Sequence, residues 1–461
     1  MNYSTIINES IEKVYQNGIA TKILQHMDRI RNVSDLGQAR RWIMELLQNS
    51  QDTAYDGQAV RVKVMLDEDK LQFLHNGKPF RTKDILSIVN QVSSKDPDEN
   101  TVGKFGTGFM TTYQLSEVVE IQSVLKDEGL PFKPFSVKID RRGADKEEIL
   151  QSIFQTMEEL KSADEAQELH DYDADAFHTK FIYHLEEERS RQVARTGMDD
   201  LKETILYVLL FSKKIGSVEL VYHGKAGTES ICYKRGEDKE IRDGICQMVI
   251  WETTQSGAGS RQTQHRMMYD KKDGLTIAAC MDADAGFLKI PELVPRIFVG
   301  FPLIGAEDFP FPVILNSEKF YPNEPRSGIS LVDNVNSKDA AENKALMEQA
   351  VLLYKHFLHT LVQLSYTGLE HLISMPEWKP DKEMSESWVK EHLYQAVYKI
   401  VSKEPMIATA SGYCCLETDG MYLVSAETKA EQDGVKKTAV CTAGISGARG
   451  RRWLAGSICR V

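Results

Sequence analysis

The sequence has no stretch that approaches about 18 uninterrupted apolar residues, which argues against a membrane-spanning helix. The N-terminus is polar and mixed in charge, and it lacks the apolar core of a signal peptide. The seven cysteines form neither a CxxC pair nor a Cys/His zinc pattern. We therefore expect reduced thiols in a cytoplasmic protein without a membrane partner.

The chain also lacks an excess of positive charge. Its formal net charge is -12, which weighs against binding nucleic acid through a broad basic face and leaves a local basic groove as the alternative. Hydrophobic residues make up 42% of the chain, a value typical of globular proteins and not of disordered ones. A length of 461 residues favours two or three domains.

The first part of the chain alternates between helical and strand patterns. Apolar residues recur at helical spacing over residues 4–31, and Ser34 is a suitable N-cap for a helix that reaches about Tyr55. Strands and helices then alternate up to about residue 190, and they predict one α+β unit. The predicted elements are strands at 60–66 and 71–74, a helix at 82–92, a helix near Phe109, two strands within 118–139, a helix at 144–172 and a strand at 179–185.

The remaining sequence predicts a second unit and a shorter third one, with domain bounds 1–190, 191–370 and 371–461. The second is expected to be α/β and the third a partial α+β unit, short enough to be a truncated domain, that ends in a mobile basic tail. The predicted elements are helices at 200–213, 338–368 and 384–402, a turn-rich stretch at 309–329, and strands at 217–223, 230–234, 247–252, 274–281, 296–302, 411–416 and 421–425.

Three polar residues of the helix that follows Ser34 share one face. Glu45, Asn49 and Asp52 stand at i, i+4 and i+7, which places them together because an α-helix advances 100° per residue. They lie opposite an apolar stripe that includes Trp42 and Leu46. Taken alone, this spacing also fits a solvated polar face.

A glycine-rich loop follows a polar stretch at 93–101. Gly103, Gly106 and Gly108 lie in the segment Gly103–Phe109, which leads into the predicted helix near Phe109. Glycines let the backbone approach a phosphate closely, and a helix N-terminus adds a favourable dipole. No Lys-Ser or Lys-Thr pair follows the loop, so it is not a P-loop.

Taken together, the motifs resemble those of the GHKL (Bergerat-fold) ATPases, which include gyrase B, heat-shock-ninety chaperones, histidine kinases and MutL. Glu45–Asp52 is similar to their first motif, His75–Phe80 to their first glycine motif, and Gly103–Phe109 to their later one. Thr179 falls where the family has a threonine beside the adenine. The resemblance implies a Bergerat-type domain, in which a layer of helices covers a mixed, mainly antiparallel sheet, followed by a transducer-like domain.

The resemblance also implies a role for each matching residue. Asn49 would bind Mg²⁺, Glu45 would polarise the attacking water, and Asp52 would support this region indirectly through hydrogen bonds. Residues 91–102 would form a mobile lid over ATP. The nucleotide-contacting residues would be Asn49, Asp52, His75, Asn76, Gly77, Ser93, Ser94, Lys95, Gly103, Lys104, Phe105, Gly106, Thr107, Gly108, Phe109 and Thr179.

The chain departs from the family at the adenine end. Family members usually have Asp where His75 stands, and that carboxylate accepts a hydrogen bond from the adenine amino group. A neutral imidazole accepts such a bond more weakly, and Asn76 could offer its carbonyl instead. Pro79 also replaces the second glycine of this motif. ATP remains the expected ligand.

In the hydrolysing branch of the family, the second domain sends a basic residue to the γ-phosphate. The loop that contains Lys319 and Arg326 has a suitable composition. An arginine matches a planar phosphate clamp better than a lysine does, so we expect Arg326 first and Lys319 second. Surface charges on a turn are the other interpretation of this loop.

The motifs are most similar to the chaperone-like or sacsin-like branch, in which ATP closes a lid and pairs N-terminal domains. Some bacterial relatives of this kind serve in defence against phage. A DNA-transaction ATPase like MutL or MORC, and a pseudo-ATPase that binds without hydrolysis, are alternatives. A histidine kinase would need a phospho-acceptor histidine upstream, and the one candidate, His26, lacks the usual surroundings.

Overall fold

A computed structural model shows an α+β architecture with a large mixed β-sheet. Within the described part of the chain, no helix is long and apolar enough to cross a membrane. The residues that the structure describes are 3–32, 39–91, 108–225, 227–282, 286–323, 326–334, 336–377, 379, 382–409 and 412–415.

The chain divides into two compact units. Unit 1 comprises Met1–Gly236 and Ile250–Thr263, and unit 2 comprises Glu237–Val249 and Gln264–Val461. Unit 1 therefore extends beyond the predicted domain boundary at residue 190. The reason is that the strands after that boundary belong to the same compact body as those before it.

Unit 1 contains the elements on which the predicted motifs lie. Two 3₁₀ helices, Phe109–Gln114 and Ser162–Glu165, join its helices and strands. The elements in chain order are α1 (Tyr3–Arg31), α2 (Arg41–Asp52), β1 (Val60–Leu66), β2 (Lys70–His75), α3 (Thr82–Asn90), β3 (Val118–Leu125), β4 (Lys133–Asp140), α4 (Lys146–Lys161), β5 (Thr179–His184), α5 (Glu188–Phe211) and β6 (Ile215–Gly224).

These strands are hydrogen-bonded in the order β6-β1-β2-β5-β3-β4. The β1–β6 pair is parallel, and the other neighbouring pairs are antiparallel. Along β1 the residues Val60, Val62 and Val64 are buried, while Arg61 and Lys63 between them are not. This alternation has the period of two that a strand with one covered face requires, and α2 and α5 pack against β1 and β6.

Helix α2 is fixed to α5 by a close approach. Trp42 is fully buried, and its indole Nε1 donates to the carbonyl of Val193 at 3.2 Å. A Cβ atom on Gly197 would lie only 2.3 Å from that nitrogen, so a glycine allows the contact. Beside it, Arg40 and Asp200 form a buried ion pair at 2.8 Å. Such a pair strongly restrains position because either partner alone would be an uncompensated buried charge.

Three long strands contribute residues to both units. They are β7 (Gly227–Arg242), β8 (Ile245–Ser256) and β9 (Gly259–Lys272). The first two are longer than the sequence predicts, and β9 was not predicted. Its segment is mostly polar, Gly259–Arg266 in particular, so the hydrophobic signal for a strand is weak there.

Unit 2 combines antiparallel strands with helix α6, whose N-cap Ser337 accepts from the backbone of Ala340 at 3.3 Å. Strand β10 pairs with β9 and β14, and only the β12–β14 pair among the described ladders of this unit is parallel. The further elements are β10 (Leu275–Asp282), β11 (Gly286–Phe287), β12 (Ile297–Val299), β13 (Phe301–Pro302), β14 (Ile314–Ser317), α6 (Lys338–Gln363), α7 (Glu386–Val389), α8 (Gln395–Val401), β15 (Ile407–Thr409) and β16 (Gly412–Cys414).

Several predicted bounds differ from the structure. Helix α4 ends at Lys161, followed by one 3₁₀ turn, instead of continuing to residue 172, and α5 begins at Glu188 instead of 200. The helix expected near Phe109 is 3₁₀ in form. A π-helical turn, Lys390–Tyr394, separates α7 from α8. The predicted strand at 421–425 and the N-cap Ser34 lie outside the described residues.

Candidate functional site

The predicted polar face of α2 is present as a half-buried stripe. Glu45, Asn49 and Asp52 are each partly exposed, while Leu46, Leu47, Gln48 and Ser50 between them are buried. The apolar side of the helix fits the core, so the opposite side is left for polar residues. The three side chains therefore share one accessible face.

The end of the glycine loop lies directly against this face. A Cβ atom on Gly108 would be 1.9 Å from Oε2 of Glu45 and 2.7 Å from its Cδ. Any larger residue would push the carboxylate away, so glycine is required for this approach. Gly108 and Phe109 are the members of the predicted loop that the structure describes. Outside the described residues lie Ser93, Ser94, Lys95, Gly103, Lys104, Phe105, Gly106 and Thr107.

The C-terminal end of α2 contacts the turn that contains His75, Asn76 and Gly77. The backbone N–H of Lys78 donates to the carbonyl of Thr53 at 2.7 Å. A Cβ atom on Gly77 would lie 1.7 Å from Oγ1 of Thr53. Sequence reasoning did not identify Thr53, which lies one residue beyond Asp52. Two segments that are distant in sequence, the loop end at Gly108 and the turn at Gly77, thus meet helix α2.

His75 is buried, with 3% of its surface exposed. Its Nδ1 atom accepts a hydrogen bond from the backbone N–H of Gly77 at 3.1 Å. Burial disfavours the charged imidazolium and lowers the pKa of His75 to about 3. The ring is therefore neutral at physiological pH.

Thr179 lies beside His75 because the two residues are directly paired in the antiparallel β2–β5 ladder. Residues paired in this way have neighbouring side chains on one face of the sheet. Thr179 is 1% exposed, and its hydroxyl is 2.7 Å from the hydroxyl of Ser123 on β3. Sequence reasoning did not identify Ser123. The available signal was a small hydroxyl residue among the apolar positions at the end of β3.

Asn76 extends the pairing of β2 with β1. Its side-chain Oδ1 accepts from the backbone N–H of Arg61 at 2.6 Å, and its own N–H donates to the carbonyl of Arg61 at 3.3 Å. Asn76 is buried. The side-chain carbonyl of Asn76, which the sequence suggested for a contact with the base, is therefore already hydrogen-bonded within the sheet.

Aromatic rings connect the two ends of this region. The ring centroid of Phe181 lies 5.7 Å from that of Phe109, 6.2 Å from that of His75 and 6.5 Å from that of Phe73. Phe181 stands two residues after Thr179 and thus on the same face of β5. Sequence reasoning did not identify Phe181, because a buried phenylalanine in a strand carries no signal of its own.

The two basic residues expected to act on the γ-phosphate lie in unit 2. The ammonium of Lys319 donates to the carbonyl of Asp273 at 2.6 Å and packs beside Gly274. Arg326 is half-buried and has a φ of 67°, a left-handed conformation that is uncommon for residues other than glycine. The Asn323 side chain organises its turn by accepting from the backbone N–H groups of Ser327 and Gly328, each at 3.0 Å.

The described part of the chain offers no competing metal or thiol centre. Within the residues that the structure describes, no three His, Cys, Asp or Glu side chains form a group that could hold a metal ion. Among the cysteines in these residues, Cys232, Cys246, Cys280 and Cys415 are free thiols. Burial raises the pKa of Cys280 to about 12, so this thiol is unreactive.

No family profile matches the chain, and no curated protein is significantly similar to it.

Proposed function

We propose that unit 1 is a Bergerat-type domain that binds ATP with Mg²⁺ and hydrolyses it slowly. The observation that carries the proposal is the meeting of two separate segments with α2. The carboxylate of Glu45 touches the end of the glycine loop at Gly108, and the C-terminal end of the helix touches the turn at Gly77. The spacing of the motifs along the sequence does not by itself require either contact.

Glu45 is the proposed general base. Its carboxylate lies beside the backbone of Gly108, where a phosphate held by the loop would be adjacent to it. A carboxylate in this position orients a water molecule and accepts its proton as the water attacks the γ-phosphate. Gly103, Gly106 and Gly108 would cradle the phosphates through backbone N–H groups, with Lys95 and Lys104 as further expected contacts.

The residues present fit a magnesium ion. Mg²⁺ is usually held by one or two protein oxygens together with water and phosphate oxygens, and not by a cage of protein ligands. The half-exposed face with Asn49 and Asp52 supplies such a small oxygen set. Asn49 would bind the ion through its amide oxygen, and Asp52 would support it indirectly. When bound, Mg²⁺ neutralises the charge that develops on the phosphates.

The proposed output of the reaction is a conformational change in a chaperone-like protein. Slow ATPases of this type gain their effect from closure and from pairing of domains, not from a released product. An ATP-dependent dimer or a protein partner, and a role in bacterial defence, belong to this proposal through the sequence resemblance. The expected γ-phosphate contacts of Arg326 and Lys319 stay predictions.

The test is Glu45→Gln, which keeps the shape of the side chain and removes its basicity. We expect Mg-ATP binding close to that of the parent in calorimetry and phosphate release reduced by about 100-fold, the scale of general-base catalysis. Glu158→Gln is the matched control because Glu158 is exposed on α4 and pairs with Lys161 at the surface. Parent-like turnover of Glu45→Gln would exclude the proposed role of Glu45. Absence of any nucleotide binding by the parent would exclude the proposed function.

A further inference from the structure

The hydrogen bond between Gly77 and His75 fixes which nitrogen of the imidazole carries the proton. A backbone N–H can only donate, so Nδ1 of His75, which receives this bond at 3.1 Å, is the unprotonated nitrogen. A neutral imidazole has one N–H, which must then be at Nε2. Because burial keeps the ring neutral, His75 offers a donor at Nε2 and has no second acceptor to offer.

This donor is without a protein partner in the part of the chain that the structure describes. His75 as a residue is 3% exposed, and an N–H group without a protein partner gains from an acceptor supplied by a ligand. The ring is also held in place by its bond to Gly77 and by its contact with Phe181. The fold therefore fixes both the orientation of the His75 ring and the role of its Nε2 atom as a hydrogen-bond donor.

We propose that the base subsite selects a 6-oxopurine nucleotide, such as GTP or ITP, over ATP; this inference rests on the proposed function. A carboxylate at this position is an acceptor and suits the 6-amino group of adenine. His75 is a donor, so it opposes that amino group and matches an oxygen at the same place. A site built for one pattern of donors and acceptors disfavours the reverse pattern, because a buried polar group is then left unpaired.

The neighbouring residues do not discriminate between the two bases. Oδ1 of Asn76 accepts from Arg61 within the sheet, and the hydroxyls of Thr179 and Ser123 bond to each other. A hydroxyl can donate or accept by rotation of its hydrogen, so this pair accommodates either purine. The discrimination between the two bases therefore falls on His75.

Calorimetry with the β,γ-imido analogues of GTP and ATP, in the presence of Mg²⁺, tests the inference on the full chain. We expect the GTP analogue to bind about tenfold more tightly than the ATP analogue to the parent. His75→Asp exchanges the donor for an acceptor, so the preference should reverse by a similar factor. His170→Asp makes the same substitution at an exposed loop position and should leave the parent preference unchanged.

The outcomes separate this inference from the proposed function. Tighter binding of the ATP analogue by the parent, or equal binding, overturns the inference and leaves the proposed ATPase intact. A folded His75→Asp with the parent preference also overturns it. Failure of both analogues to bind overturns the proposed function and the inference with it. If His75→Asp does not fold, as judged by circular dichroism, the preference of the parent decides, and ITP in competition with ATP provides the second measurement.

Discussion

The two ends of the region around helix α2 differ in how deeply their side chains are buried. Along the helix face, Glu45, Asn49 and Asp52 are half-exposed, and the adjoining segment approaches as bare backbone at Gly108. At the C-terminal end, His75 and Thr179 are buried and bonded to Gly77 and Ser123 respectively. We call these regions the open end and the closed end of the candidate site.

This difference indicates that the two ends have different roles, one in turnover and the other in ligand recognition. Under the proposed function, groups at the open end would reorganise around phosphate, metal and water, whose positions change during hydrolysis. Groups at the closed end are held by the sheet and by one another, which suits recognition of a part of the ligand that does not change. Disturbing the open end should therefore affect turnover, and disturbing the closed end should affect stability and selectivity.

Gly108→Ala has the largest expected effect because it disturbs the open end directly. The new Cβ atom would lie 1.9 Å from Oε2 of Glu45, so the carboxylate must move. Misplacement of a catalytic group by about 1 Å costs about 100-fold in rate, and we expect turnover to fall by this factor while the base preference is kept. Gly18→Ala on α1 is the control, because nothing lies within 4 Å of its Cβ position. Steady-state phosphate release measures both, and parent-like turnover of Gly108→Ala would contradict the assigned geometry.

The open end was the more predictable of the two from the sequence. The spacing of Glu45, Asn49 and Asp52 depends only on the helical period, which is a local property, and the structure confirms their shared face. The partners at the closed end depend on which strands pair and in which register. Ser123 reaches Thr179 across the β3–β5 pair, which joins residues 56 positions apart, and no local pattern specifies such pairing.

The same distinction applies to the fold. Strands with clear alternation, such as β1, were predicted with their bounds, and the α+β class is confirmed. The polar strand β9 was missed, because its stability comes from pairing with β10 and not from its own composition. The tautomer of His75 was also beyond sequence reasoning, since it depends on the backbone geometry of the turn at Gly77.

The pH dependence of stability tests the closed end. The pKa of His75 is about 3 in the folded protein and 6.5 in the unfolded chain, so the unfolded chain binds the additional proton between these values. The free energy of unfolding should therefore fall as the pH falls below 6.5, by about 1.4 kcal/mol per pH unit from this residue, or roughly 2 kcal/mol by pH 5. Above pH 6.5 the contribution is complete and constant.

His75→Gln removes the titrating group and should flatten this part of the profile. His170→Gln, at an exposed position, should keep the slope of the parent. Urea unfolding at a series of pH values between 5 and 8 gives the comparison. An identical slope in the parent and His75→Gln would show that His75 is not held neutral by burial, and the distinction between a closed and an open end would then fail at its central residue.

The hydroxyl pair of Ser123 and Thr179 has the smallest expected effect and the most specific one. Ser123→Ala leaves the buried Thr179 hydroxyl, 2.7 Å from the removed oxygen, without its partner, which should cost about 1–2 kcal/mol. Thr179→Val keeps the shape of the side chain and removes the same bond from the other side.

Both single variants break the same hydrogen bond. The double variant should therefore lose less free energy of unfolding than the sum of the two single losses. The expected coupling free energy is about 1 kcal/mol in a double-mutant cycle from urea unfolding. Additive losses would mean that each hydroxyl is stabilised independently, and the hydrogen bond assigned to this pair at the closed end would then contribute nothing. A measured coupling together with an unchanged turnover number at saturating nucleotide would separate the two ends most clearly, since the bond would stabilise the sheet beside His75 without contributing to the chemistry proposed at Glu45.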